Sequence, residues 1–265
     1  MGIFDRVVFL LKVVKDRLLK KDTEVLKERL QIVLDELSGN IPVFIICYNN
    51  ILYVENMVKQ LKRYNIKPII IDNNSQDFDT IKGLKKLESD AYVVYSKKNL
   101  GYLVGFINSV YEILPKYFVY TDPDLQLNQN LPKDFLEVLK SLSEEFRVYK
   151  VGFALELLDE EMINSKIKKY NGYPKIKEKS MSVKEWEERF WRFKIEHNKL
   201  ELYRAPIDTT FALYNKDNLS DDFFDAIRVA GDFSCVHLPW YPKRDILTDR
   251  EKQIYKKDNN SSSWV

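Results

Sequence analysis

The chain is poor in the residues on which several enzyme chemistries depend. In 265 residues it has two histidines, two cysteines, eight glycines and nine prolines. Cys47 and Cys235 cannot build a disulfide framework, and no CxxC or Cys/His spacing suits structural zinc. The thiols read as reduced, which fits a cytoplasmic protein. Glycine is missing where dinucleotide enzymes need it: the stretch after the first apolar run reads CYNNILY, with no GxGxxG. No GxxxxGK[ST] and no GxSxG occur either, which excludes P-loop and serine-hydrolase chemistry. The apolar stretch VVFLL near the N-terminus is too short for a signal-peptide core or a membrane span. No charge of one sign dominates: 42 Lys+Arg face 40 Asp+Glu, a net charge of +2. A protein held to nucleic acid by bulk charge is therefore excluded.

What is present is enough to bury a sizeable core. Apolar residues make up 45% of the chain, with 15 Phe, 16 Tyr and 4 Trp. At residues 1–40 the pattern is helical. Phe4, Val7, Val8, Leu11, Val14 and Leu18 recur on one face, flanked by Lys12, Lys15, Arg17, Lys20 and Lys21. Such a stripe fits a packing or oligomer-forming helix, and equally a helix lying on an anionic membrane surface. The stretch Asp22 to Leu37 is amphipathic but acidic, and Ser38-Gly39-Asn40 stops it.

From Pro42 the period changes. PVFIIC, PIIID, AYVVYS and YFVYTDPD are short apolar runs of β character. NILYVENMVKQLKRY, FDTIKGLKKLE and VGFINSVYEILPK between them carry helical periodicity. This alternation predicts right-handed crossovers and a mainly parallel α/β sheet. Ligands of such sheets bind beyond the carboxyl ends of the strands. The residues there are Tyr48-Asn49-Asn50, Asp72-Asn73-Asn74-Ser75, Lys97 to Gly101 and Asp122-Pro123-Asp124, and every cluster is polar. Beyond Asp124 the pattern loosens. FLEVLKSL and WEERFWRF read as helices, YKVGFALELL as a strand, and LYRAPIDTTFALY as two short strands around a polar turn. The expected division is a helical extension (1–40), a first half (41–130), a second half (131–245) and a flexible tail (246–265).

Asp122 and Asp124 follow the apolar strand YFVY. Residues i and i+2 of an extended segment share a side. Two carboxylates there suit a hard divalent cation that also bridges a diphosphate, although Asp-Pro-Asp is equally good turn chemistry.

With these motifs, the stretch from about Pro42 to Tyr241 resembles the GT-A fold glycosyltransferases, most closely family 2. The resemblance rests on IPVFIICYNN, IIIDNNS, the NLGY turn with Asn108 beyond it, and TDPD as the DxD motif. It implies one Rossmann-like α/β domain whose first half binds a nucleotide-sugar and whose second half binds an acceptor. Tyr48 and Asn49 would then line the nucleotide pocket, and Asp72 would contact base or ribose, with Asn74 and Ser75 continuing that motif. Asn99 and Gly101 match the turn that approaches the donor. Asp122 and Asp124 match the metal and diphosphate site. His237 sits where a late histidine completes the shell of Mn²⁺ or Mg²⁺. Arg228 would offset diphosphate charge. For the base the best candidate is Asp208, a carboxylate between apolar strands, with Glu156 and Asp159 in reserve.

The resemblance thus implies an inverting hexosyltransferase taking a nucleotide-sugar, with a UDP-sugar the first expectation. Its acceptor would be a hydroxyl of a glycan or glycolipid in bacterial surface polysaccharide or lipooligosaccharide synthesis. The QxxRW motif of processive synthases is missing, so transfer of single sugars is expected. Self-association and contact with the inner face of the cytoplasmic membrane through the N-terminal helix complete the expected partners, with no role for nucleic acid. A nucleotidyltransferase and an inactive nucleotide-sugar or carbohydrate-binding module stay open as alternatives.

Overall fold

In the computed structural model, residues 22–163, 166–167, 181–220, 222 and 225–258 are described. The basic stretch on which membrane contact was expected, residues 1–21, lies outside them. A helix α1 covers residues 22–36 and ends where Gly39 takes a φ of +93°. Four strands and the helices between them follow: β1 (Val43–Cys47), α2 (Ile51–Lys62), β2 (Ile69–Asp72), α3 (Phe78–Leu87), β3 (Tyr92–Tyr95), α4 (Asn108–Tyr111) and β4 (Tyr117–Thr121). Then come β5 (Leu125–Leu127), α5 (Phe135–Phe146), β6 (Lys150–Phe153), β7 (Lys166–Ile167), β8 (Met181–Ser182) and α6 (Val183–Glu188). The chain continues through β9 (Lys194–Ile195), β10 (Leu202–Arg204), β11 (Ala212–Asn215), β12 (Ala226–Val229), β13 (Cys235–His237) and α7 (Asp249–Asp258).

A nine-stranded sheet in the order β3-β2-β1-β4-β11-β6-β12-β10-β9 organises the molecule. β1 pairs in parallel with both β2 and β4, and β2 with β3. β11 is antiparallel to β4 and β6, so β6 and its parallel neighbour β12 point the same way as β1–β4. The chain reverses its lateral direction between β1 and β4, which makes their carboxyl ends the topological switch point.

Burial explains the layers. β1 is buried on both faces, as its unbroken run VFIIC requires. Val43, Ile45 and Cys47 pack with Val54, Met57, Val58 and Leu61 of α2 and with Phe135 and Leu139 of α5. Phe44 and Ile46 point the other way, into a second cluster with Leu26 and Leu30 of α1. The helix α3 starts on Asp77, whose side chain accepts from the Thr80 amide at 2.9 Å. The two halves expected on either side of residue 130 share this one sheet, with β4 and β11 at their border.

One expectation is corrected here. The helix expected over VGFINSVYEILPK shrinks to a 3₁₀ turn (Val104–Phe106) and the single turn of α4. Tertiary packing overrides periodicity: Phe106 is spent on Tyr120 and Tyr214, at ring distances of 4.9 and 5.0 Å, and the Gly105 amide donates to the Tyr120 hydroxyl. The strands within LYRAPIDTTFALY form, as β10 and β11, but β12 and β6 lie between them. Within the segment expected as a tail (246–265), Asp249–Asp258 form the helix α7. Thr248 and Glu251 close a capping box at its start, with the Thr248 amide donating to Glu251 Oε2 at 2.9 Å and the Glu251 amide donating to Thr248 Oγ1 at 3.3 Å. Arg250 then bonds Asp79 of α3 at 2.5 Å. Residues 259–265 lie outside the described part.

Candidate active site

The loops after β1, β2 and β3 lock together into a polar shelf. Asn49, Asn74 and Gly101 all take left-handed backbone, at φ of 51°, 65° and 86°. Asparagine and glycine are the residues that adopt this region at least cost. The Asn49 amide donates to Ser75 Oγ at 2.9 Å, and Asn49 Oδ1 accepts from the Gln76 and Asp77 amides at 2.8 and 3.0 Å. Asp72 is buried, and its carboxylate accepts from the Ser75 amide at 3.2 Å. Burial pushes its pKa up, against the pull of the Ser75 and Asn74 bonds. Asn73 ties the third loop on, donating to the Gly101 carbonyl at 2.7 Å and accepting from the Leu100 amide at 3.1 Å. Asn99 Oδ1 accepts from the Gly101 amide at 2.9 Å, and Tyr48 is half-buried at the end of β1. The structure thus brings Tyr48, Asn49, Asp72, Asn74, Asn99 and Gly101 to one edge.

Asp122 and Asp124 leave β4 beside this shelf but take different partners. The Asp122 amide donates to the Thr209 carbonyl at 2.8 Å, and the Thr209 hydroxyl donates to the Asp122 carboxylate. Burial pushes the Asp122 carboxyl well up, and the charge of Asp124 adds to the shift. Asp124 is 6% exposed, and its Oδ1 is buried with no hydrogen-bond partner among the described residues. Its Oδ2 lies 3.3 Å from His237 Nε2. A small ribbon causes this approach. β13 pairs antiparallel with β5, His237 stands opposite Leu125, and the Leu238 amide donates to the Asp124 carbonyl at 2.9 Å.

An oxygen that is buried and unsatisfied costs free energy unless something electropositive meets it. A carboxylate oxygen in that state beside an imidazole nitrogen fits a divalent cation. Among the described residues, no group of three or more His, Cys, Asp or Glu is arranged to hold a metal by itself. The fit is therefore to a cation that takes its remaining ligands from a phosphate group and water, as Mg²⁺-type sites do.

Asp208 lies on the turn before β11, partly buried, with its pKa pushed up to about 6 by burial against the opposing charge of Lys150. Tyr102 reaches the same neighbourhood: partial burial pushes its phenol up, the charges of Asp208 and Asp122 add to the shift, and it is 43% exposed. Arg228 does not join them as an open guanidinium. It is buried, ion-paired with Glu187, bonded through Nε to the Pro206 carbonyl at 2.7 Å and stacked 4.4 Å from the Phe190 centroid. A buried guanidinium needs a carboxylate, and Glu187 supplies one. The role expected of Arg228 at a diphosphate thus meets a side chain already committed elsewhere. Asn73 and Tyr102 appear in the sequence only within the strand-end cluster and the NLGY turn, and Lys150 and Thr209, which the structure also places at this end of the sheet, carry no assigned role there. Of the latter two, Lys150 has a signal in the sequence, as a charge inside the apolar strand YKVGF.

The family model for glycosyl transferase family 2 matches residues 43–221. The chain belongs to glycosyl transferase family 2. That match spans β1 to the loop after β11, and so covers the shelf, Asp122, Asp124 and Asp208. Among curated proteins no sequence matches the chain. Family 2 membership makes the protein a glycosyltransferase, with a nucleotide-sugar donor and a glycan acceptor as its general partners. No described helix is long and apolar enough to cross a membrane.

Proposed function

We propose that the protein transfers a single hexosyl group from a nucleotide-sugar, a UDP-sugar being the first class to test, to a glycan or glycolipid hydroxyl. A divalent cation would be required, the stereochemistry would invert, and the setting would be bacterial surface polysaccharide or lipooligosaccharide synthesis. The observation that carries this reading is the Asp124–His237 contact at the switch point, with an unsatisfied carboxylate oxygen beside the three-loop shelf.

On the donor side, Asp72 and the Asn49 and Asn73 loops supply a fixed polar wall for nucleoside and ribose. Its left-handed residues are set before ligand arrives, so little ordering is left to pay at binding. Asp124 and His237 would hold Mn²⁺ or Mg²⁺ together with the diphosphate. When bound, the cation supplies a positive charge that offsets the negative charge developing on the departing nucleoside diphosphate. Asp122 keeps its carboxylate fixed by Thr209 at the donor's edge. On the acceptor side, Asp208 takes the proton of the attacking hydroxyl, and its position on a tied loop turns an encounter into an oriented contact.

The test is release of nucleoside diphosphate from a panel of UDP-, GDP- and dTDP-sugars with Mn²⁺ and simple glycoside acceptors. Asp124→Asn is expected to abolish release while melting like the parent chain, and excess chelator is expected to do the same to the parent. Full activity in either case overturns the cation requirement. Pyrophosphate in place of nucleoside diphosphate would instead identify a nucleotidyltransferase.

A further inference from the structure

Lys150 opens β6 and is 0% exposed. An ammonium is strongly hydrated, so a wholly buried one is costly unless the site uses it. Its Nζ donates to the Ile207 carbonyl at 2.6 Å and lies 5.1 Å from the Tyr214 centroid. Burial lowers its pKa to about 7; the charges of Asp208 and Asp222 favour the ammonium and that of Arg228 opposes it.

Ile207 immediately precedes Asp208, and its neighbours in the loop are tied in the same way. The Ala205 amide donates to the Ala226 carbonyl at 3.1 Å, and the Pro206 carbonyl accepts from Arg228 Nε at 2.7 Å. The Asp208 carbonyl accepts from the Tyr214 hydroxyl at 3.5 Å, and the Thr209 carbonyl accepts from the Asp122 amide at 2.8 Å. Each residue from 205 to 209 therefore has a backbone group bonded to the surrounding frame, and two of those bonds come from buried cations. Satisfying a carbonyl alone does not require this, because a water or a neutral donor does so with less desolvation. A buried cation adds a fixed geometry and a charge.

We propose that Lys150 is a positioning residue for Asp208: it fixes the 205–209 loop through the Ile207 carbonyl and sets a positive charge beside the carboxylate that accepts the acceptor's proton. The inference rests on Asp208 being the base of the proposed transfer.

The experiment is a double-mutant cycle in the full chain, read as nucleoside diphosphate release with the donor panel above. Lys150→Met is expected to lower kcat about 100-fold, within the range for loss of a general base, with little change in donor KM. Lys150→Arg is expected to recover part of that loss. If Lys150 acts through Asp208, adding Lys150→Met to Asp208→Asn costs nothing further. An equal loss in both backgrounds overturns the inference, as does parental kcat in a folded Lys150→Met. Parental activity in Asp208→Asn overturns the base assignment instead. Amide hydrogen exchange decides the case in which no donor turns over. Lys150→Met should then speed exchange at residues 207–211 and leave β1 and β4 unchanged, with Lys150→Arg slower than Lys150→Met. Identical rates in parent and Lys150→Met overturn the inference.

Discussion

A carboxyl pushed up to about 6 is ionised at neutral pH and still holds a proton well, which is what a base near Asp208 needs. The sign is set by burial, which disfavours the charged form, and Lys150 opposes it. The transfer requires the ionised form. Activity at subsaturating substrate is therefore expected to rise with pH through about 6, falling roughly tenfold per unit on the acid side, and to decline again above about 7 as Lys150 loses its proton. Asp208→Asn should lower kcat by about 100-fold or more and flatten the acid limb. A limb that persists unchanged in a partly active Asp208→Asn variant assigns the ionisation to another group. At this scale sequence is a partial guide. Asp208 stands out because a carboxylate among apolar neighbours is conspicuous, and Asp124 because it pairs with Asp122 at a strand end. Thr209 does not, because a threonine beside a strand is ordinary, and its bond to Asp122 joins residues far apart in the chain. Arg228 misleads for the same reason: a guanidinium advertises phosphate chemistry, and only the fold reveals Glu187 against it.

At the scale of elements, the strands β1 to β4 and the helices α2 and α3 are legible because each obeys a single period. α4 is not, because Tyr111 within it and Phe106 before it serve an aromatic cluster with Phe118 and Tyr120 instead of a helix face. The box at Thr248 and Glu251 was visible in the sequence as Thr-x-x-Glu, and the polar composition around it masked the helix that follows. The ribbon of β5 and β13 was invisible, since each strand is three residues long. A side chain completes it. Gln60 of α2 is buried, donates to the Leu125 carbonyl at 3.0 Å and accepts from the Leu127 amide at 2.7 Å. Its amide thus replaces a neighbouring strand on the open edge of β5. Gln60→Leu leaves both backbone groups unsatisfied, at about 1–3 kcal/mol each. A urea melt is expected to show a loss of about 2–5 kcal/mol. Because β5 carries Asp124 at its start, the variant should also lose donor-dependent thermal stabilisation. A melt within error of the parent chain would show that the bonds of Gln60 contribute nothing net.

For the whole molecule, the near-neutral charge of +2 means that any attraction for a polyanionic donor must come from one place, not from the surface at large. That place draws on distant parts of the chain. Asp72 comes from β2, Asp122 and Asp124 follow β4, and His237 closes β13, so the site exists only when the first-half sheet and the late ribbon are both formed. Under the proposed function the protein would offer a cation one carboxylate oxygen and one imidazole, and the phosphate would have to supply the rest. Neither partner alone completes the shell. Mn²⁺ by itself and UDP by itself are therefore each expected to raise the melting temperature little. Together, at about 100 times their joint Kd, they should stabilise by about 2.7 kcal/mol, a shift of about 5–10 °C for a chain of this size. The excess over the two separate shifts is the coupling between cation and nucleotide, and it must be reciprocal. His237→Ala and Asp124→Asn should each remove the excess while leaving the unliganded melt near that of the parent. Additive shifts in the parent chain would mean that cation and nucleotide bind apart, and Asp124 and His237 would then owe their approach to the β5–β13 ribbon alone.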